Sequence, residues 1–434
     1  MVSRLFIFLF ILFAFRSLAQ NEVADSNKWL PNPPPYYSFI DYDENIISHS
    51  SKLDSVLKKL VKVHVNHKGK VNIVHIGDSH LQADMETSVL RNGIQDFFGD
   101  AGRGIVFPYQ LANSNAPHDV SSSSNTMWKS NRIGIDKDIQ TGISGFGIHS
   151  SKQNATVRIH LKEMDGKQEH FNRMVFFLCN DSACYRLTDS NLKKPITLYS
   201  RPNVDTPSIV FESDSLLTGF ELCKNEMPGH CDYSFYGVSL ERKDTCGVLY
   251  HTIGVNGARY DQYLNNPLFW KQLTSLHGDF FIVSLGTNEA QTPKLNEPAF
   301  IAVCDSFVHK IHKIAPKACV LITTPPGSYF KMKKPNPSVQ AVSHALAHYC
   351  DEHDIPLWDL NKITDGATGT IAFKRYNLLG HDGIHFTNAG YQLQGLLLLN
   401  ALSATYNDYY KKHPIKPKPK YIIEYINKPK KPGR

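Results

Sequence analysis

The sequence predicts an α/β protein: a doubly wound, five-stranded parallel sheet with an inserted β-sandwich or jelly-roll domain. Three observations predict it. Short apolar runs alternate with segments of helical periodicity, as strands and covering helices do in a doubly wound sheet. That alternation breaks between Gly99 and Cys246, where short β-type runs are separated by Gly, Asn, Asp and Pro turns. The 434 residues are 41% hydrophobic and 20% charged, enough apolar material for a large core and incompatible with wholesale disorder.

At the N-terminus, Arg4, the apolar run LFIFLFILFAF and Ser17-Leu18-Ala19 together read as a secretory signal peptide over 1–19. The run is shorter than the ~20 residues that cross a bilayer. An exported protein, periplasmic or secreted, is therefore expected, with no transmembrane segment after removal of the leader. A Pro-rich entry, PNPPP, precedes an amphipathic helix in SKLDSVLKKLVKVH. The five candidate strands are VNIVHI (71–76), GVLYHTI (247–253), FFIVSL (280–285), ACVLITT (318–324) and IPLWDL (355–360). Helical patterns fall at 85–99, 298–315, 338–353 and 388–406.

These elements divide the chain into a catalytic α/β part at 45–120 and 246–410, an insertion at 121–245 and a tail at 411–434. The serine-rich stretch 121–125 reads as a flexible entry to the insertion. Of the overall charge of +7, the leader carries +2 and the tail +8, leaving −3 for the body. A slightly acidic body is not that of a nucleic-acid binder. The basic, proline-rich tail reads as an extended, solvated segment, with contact with an anionic surface as its functional alternative. Two local disulfides, within Cys179/Cys184 and Cys223/Cys231, are compatible with export. Cys304, Cys319 and Cys350 sit in apolar patterns and read as buried thiols. The cysteines lack zinc-ligand spacing, and no metal or organic cofactor is expected.

The chemistry concentrates in small motifs placed where an open α/β sheet binds its ligands, outside the strand ends. Gly77-Asp78-Ser79-His80 follows the first strand and precedes a helix, presenting the Ser79 hydroxyl to the crevice. Gly286-Thr287-Asn288-Glu289 follows FFIVSL and supplies an amide donor at Asn288. Asp382-Gly383-Ile384-His385 precedes the last helix, which Thr387 or Asn388 would cap. An Asp three residues ahead of a His can orient the imidazole while its other nitrogen takes a serine proton. His80, beside the nucleophile, reads as structural. Arg259, Trp270 and Tyr329 lie near strand ends, as does the lysine-bearing loop 325–337.

These blocks resemble those of the SGNH/GDSL hydrolase superfamily, named for Ser, Gly, Asn and His in four successive motifs. The resemblance covers roughly residues 65–100 and 246–405, and implies a flavodoxin-like sheet. It assigns Ser79 as nucleophile, His385 as base and Asp382 as its orienting partner. Ser79, Gly257 (in IGVNGAR) and Asn288 are the implied oxyanion-hole donors, with Gly254 the rival glycine. The first motif reads GDSH rather than GDSL. With GDSHLQAD, the insertion and the leader, the chain looks like the peptidoglycan O-acetylesterase branch, whose inserted β-sandwich resembles a carbohydrate module. The implied activity is removal of O-acetyl groups from a glycan, peptidoglycan foremost. Acetylated plant or capsular polysaccharide, an O-acetyltransferase and a non-catalytic glycan-binding protein remain the alternatives.

Overall fold

The computed structural model describes residues 27–135, 138–178, 185–191, 193–200, 208–224, 233–292 and 294–415. The leader, Cys179, Cys184, Cys231 and the tail beyond residue 415 lie outside these. All five expected strands form: β2 (Lys70–Gly77), β3 (Gly247–Gly254), β4 (Phe280–Ser284), β5 (Cys319–Thr323) and β6 (Leu357–Trp358). They pair in parallel in the order β6-β5-β4-β2-β3. The sheet is not purely parallel or five-stranded, however. A sixth strand, β1 (Ile47–Ser48), adds antiparallel to β6 at the edge. Its two residues are too few to carry a periodicity signal.

Strand alternation explains why helices cover both faces. Val71, Ile73, Phe280, Ile282 and Leu321 point to one side, against Leu57 and Val61 of helix Asp54–Asn66 and Leu397 of helix Asn388–Lys412. Val74, Ile76, Phe281, Val283 and Ile322 point to the other, toward Phe307 of helix Glu297–Ile314 and Leu346 of helix Pro337–Glu352. The segment ahead of the Pro-rich entry is part of this packing: Trp29 is buried against Phe98 and Tyr406. Cys304, Cys319 and Cys350 are buried thiols.

Because β2 lies between β3 and β4, the chain leaves it in opposite directions, and a crevice opens at its C-terminal end. Below that end His75 bonds Tyr250 Oη at 2.7 Å and Ser284 Oγ at 2.6 Å, tying β2 to both neighbours. Burial lowers the His75 pKa to about 3, so the imidazole is neutral there.

Between Gly99 and Cys246 the described residues form two antiparallel sheets of seven and four strands. They pack face to face, with Phe220 of the smaller against Phe171 and Phe176 of the larger. Their apolar core continues into the Val74 face of the α/β sheet. Two expectations for this region need correcting. Strand Gly104–Val106 already pairs with Tyr233–Glu241, so the β region begins well before residue 121. The stretch read as a flexible entry is an edge strand, Val120–Ser123, paired with Thr156–Leu161. Serine has little strand propensity of its own, and pairing decides the outcome.

The β region is tied to the segment after Ser79 by a buried charge cluster. Asp84, in the left-handed region at φ 60°, accepts from Arg91 Nη1 and Arg103 Nη2, both at 2.7 Å. Arg103 also pairs with Asp119, at the start of the edge strand. Both guanidinium groups and the Asp84 carboxylate are almost wholly removed from solvent. Asp84→Ala should leave two buried cations short of a partner and cost about 3–5 kcal/mol of stability. A urea unfolding midpoint unchanged from that of the parent protein would contradict this reading.

Candidate active site

Each motif residue is placed by a local structural requirement. Gly77 ends β2 where a Cβ would stand 2.7 Å from the Ser284 carbonyl and 2.5 Å from Leu81 Cδ1, so no larger residue fits. Asp78 then caps the short helix Ser79–Gln82, accepting from the His80 N–H at 3.0 Å. This places Ser79 at the first helical position, above the crevice. The Asp382–His385 segment is a tight turn, in which the Asp382 carboxylate accepts from the N–H groups of Ile384 and His385, each at 2.9 Å. Tyr329 N–H donates to the Gly383 carbonyl at 2.7 Å, so the hairpin of Tyr329–Phe330 with Lys334–Pro335 props the turn from outside. Thr387 caps the last helix through the Gly390 N–H.

The turn meets the nucleophile directly. His385 Nε2 lies 2.8 Å from Ser79 Oγ, and His385 Nδ1 lies 2.6 Å from Asp382 Oδ2. Burial works against the Asp382 carboxylate. The hydrogen bonds from the His385 ring and from the two backbone N–H groups outweigh it and hold its pKa below the usual range. An anionic Asp382 fixes the proton on Nδ1 and leaves Nε2 free to accept from the serine.

Asn288 follows β4, and its amide Nδ2 donates to the Ala258 carbonyl at 2.9 Å. It is thereby latched to the loop after β3, beside the nucleophile's turn, with Asp78 Oδ2 at 3.5 Å. The two candidate glycines are separated by their surroundings. A Cβ on Gly254 would fall 2.4 Å from the Gln82 backbone nitrogen, so Gly254 lets the nucleophile's helix pack against β3. Gly257 has φ +80° and open space where a Cβ would stand, as expected of a loop facing the crevice. Of the aromatic residues near strand ends, Trp270 is core, packed on Phe269 and Phe307. Arg259 pairs with Asp261.

His80 packs into the core beside the last helix. Its ring is buried against Phe386 and Tyr391, with Nδ1 3.1 Å from Tyr391 Oη. Burial lowers its pKa to about 3, so a neutral ring packs 5.5 Å from the His385 ring without adding a second charge. Buried acids surround the nucleophile's helix. Burial raises Asp78 to about 6 and Glu289 to about 7, and with help from the Asp78 charge it raises Glu86 to about 8.

Sequence reasoning missed Gln82. It is buried at the end of the nucleophile's helix, and Oε1 accepts from the Asn256 N–H at 2.8 Å. Its Nε2 donates to Ser114 Oγ at 2.8 Å and to the Asn115 carbonyl at 2.9 Å. One side chain therefore sets the distance between the serine and the Gly257 loop. The available signal was its position three residues after Ser79, on the same short helix.

Gln82→Ala should lower kcat on a small acyl ester by about 10–100-fold, because it orphans a buried N–H and frees the Gly257 loop. An unaltered kcat in a correctly folded variant would contradict that. Glu86 supplies a pH test. Its folded-state pKa is raised, so the folded protein binds more protons than the unfolded chain, and stability falls as pH rises from the ordinary Glu range toward about 8. Glu86→Gln should therefore stabilise the protein at pH 9, the gain shrinking as pH falls and vanishing near pH 4. Denaturant midpoints at the two pH values check the sign; an equal shift at both would contradict it.

The geometry has counterparts among known proteins. The family model of GDSL-like lipase/acylhydrolases matches residues 214–393. No curated protein matches the chain in sequence. A solved peptidoglycan O-acetylesterase superposes with a TM-score of 0.69 at 19% identity, covering 83% of this chain and 99% of its own. A lipase/acylhydrolase from Enterococcus faecalis matches at 19% identity over 40% of this chain and 80% of its own, with a TM-score of 0.29. An acetylxylan esterase from Geobacillus stearothermophilus matches at 14% identity over 37% and 73%, with a TM-score of 0.29. With its four blocks gathered at the switch point of the sheet, the chain shares the fold of the solved O-acetylesterase, and its residues 214–393 are similar to the GDSL-like lipase/acylhydrolases.

Proposed function

We propose that the protein removes O-acetyl groups from a carbohydrate polymer, most simply peptidoglycan, through an acetyl-serine intermediate. The observation that carries this reading is the unbroken chain from Ser79 Oγ to His385 Nε2 at 2.8 Å and from His385 Nδ1 to Asp382 at 2.6 Å. His385 takes the hydroxyl proton as Ser79 Oγ attacks the acetyl carbonyl carbon. The oxyanion is met by the N–H groups of Ser79 and Gly257 and by the Asn288 amide, each such donor being worth about 3–4 kcal/mol in the transition state. Collapse expels the sugar oxygen, which takes the proton from His385. A water molecule then gives a proton to His385 and attacks the acetyl-serine, and acetate leaves as Ser79 regains its hydrogen. Asp382 stays anionic throughout and offsets the imidazolium formed in each half-reaction.

The polymer is inferred from two supports. A solved protein that shares this fold along nearly its own whole length is a peptidoglycan O-acetylesterase. The side chains of His385 and Asp382 are 43% and 52% exposed, so the site is an open crevice of the kind a long chain can cross. The leader-like N-terminus fits work outside the cytoplasm, and among the described residues no helix is long and apolar enough to cross a membrane. The basic tail would hold the enzyme near an anionic surface.

Acetate release from O-acetylated peptidoglycan and from acetylated xylan, with Ser79→Ala as control, tests the reading. Release from peptidoglycan, abolished in the variant while the fold is kept, is expected. Undiminished turnover by Ser79→Ala would remove the serine from the mechanism, and release from xylan alone would move the substrate to another polysaccharide.

A further inference from the structure

A cavity of about 490 Å³ opens beside the Gly257 loop, within the volume range of small-molecule sites. Its wall is unusual for a void between packed elements. Asn113, Ser114, Asn115, Asn131 and Asn256 supply amides and a hydroxyl, and Arg132 is the one charged residue in the lining. Side-chain amides both donate and accept, so a concentration of them matches a ligand dense in hydroxyl groups. Arg132 closes strand Lys129–Arg132, so its backbone is held by the ladder to Phe146–Ser150.

The cavity is also mechanically continuous with the catalytic machinery. Gln82, on the nucleophile's helix, donates to Ser114 and Asn115 in one wall and accepts from Asn256 in the other. Asn256 in turn precedes Gly257 in the chain. A group seated here would lie one residue along the chain from Gly257, with Gln82 linking its two walls to the helix that carries Ser79. The β region and the loop after β3 each contribute a wall.

We infer that this cavity is the subsite for the sugar of the acetylated substrate, and that Arg132 selects glycans carrying a carboxylate. The inference rests on the esterase reading above and extends it to substrate class. A planar guanidinium pairs with a carboxylate through two parallel hydrogen bonds, a geometry that a neutral sugar cannot match. The body of the chain is slightly acidic, so general attraction would not favour an acidic polymer, and discrimination falls to this local group.

The test compares the full-length enzyme with Arg132→Ala and Arg132→Lys on O-acetylated peptidoglycan strands stripped of their peptides, whose muramic acid lactyl groups are free carboxylates, on acetylated xylan and on an aryl acetate. Arg132→Ala should raise KM for the carboxylated polymer about tenfold with kcat kept, and leave xylan and aryl acetate unchanged. Arg132→Lys should fall between the two, since it keeps the charge but not the fork. Equal loss on the aryl acetate would show a structural role and overturn the subsite, as would unchanged KM on the carboxylated polymer. A parent enzyme that cleaves the aryl acetate but neither glycan would also overturn it, leaving the esterase chemistry intact. Aryl-acetate hydrolysis surviving Ser79→Ala would instead overturn the underlying reading, whatever Arg132 does.

Discussion

The contact between Ser79 Oγ and His385 Nε2 joins residues 306 positions apart, and the rest of the structure can be understood as what holds it at 2.8 Å. Neither residue is long enough to find the other by flexing. The serine is fixed because β2 ends in a glycine that only a residue without a side chain can occupy, followed at once by a capped turn of helix. The histidine is fixed because its turn is hydrogen-bonded to its own aspartate and braced by a neighbouring hairpin. Topology supplies the remainder: β2 lies between β3 and β4, so the motifs that follow these three strands converge on one crevice.

Charge burial is the second constraint. The segment after the nucleophile carries Asp84 in a left-handed conformation, held by two arginines that are themselves anchored in or beside the β region. Such a cluster is costly to desolvate, and its members stabilise the protein only when all are present. It couples the orientation of the β region to the loop behind Ser79. Gln82 makes a second coupling through neutral hydrogen bonds, which explains how residues far from the triad in sequence line a cavity next to it.

Much of this was legible in the sequence, for identifiable reasons. The five parallel strands are apolar on both faces and so appear as continuous runs. The motifs at their ends use glycine, serine, asparagine and histidine in short, ordered blocks. Ser79, Asn288, Asp382 and His385 were all readable in that way. What escaped depends on partners. Strand Ile47–Ser48 is too short to register, and Val120–Ser123 becomes a strand only because Thr156–Leu161 lies beside it. Gln82 and Asp84 look like ordinary polar residues until Asn256 and Arg103 are brought up to them. A polar side chain with long-range partners leaves no local periodicity to detect.

The proposed chemistry requires a covalent acyl-enzyme at one hydroxyl. Its most direct measurement is to mix the enzyme with an excess of an activated acetyl ester, quench in acid within the first turnovers, and map the acetyl group by peptide mass spectrometry. An ester-linked acetyl group on Ser79 is expected. Rapid turnover with no acylated serine, or an acetyl group carried on a different residue that turns over at the catalytic rate, would contradict it.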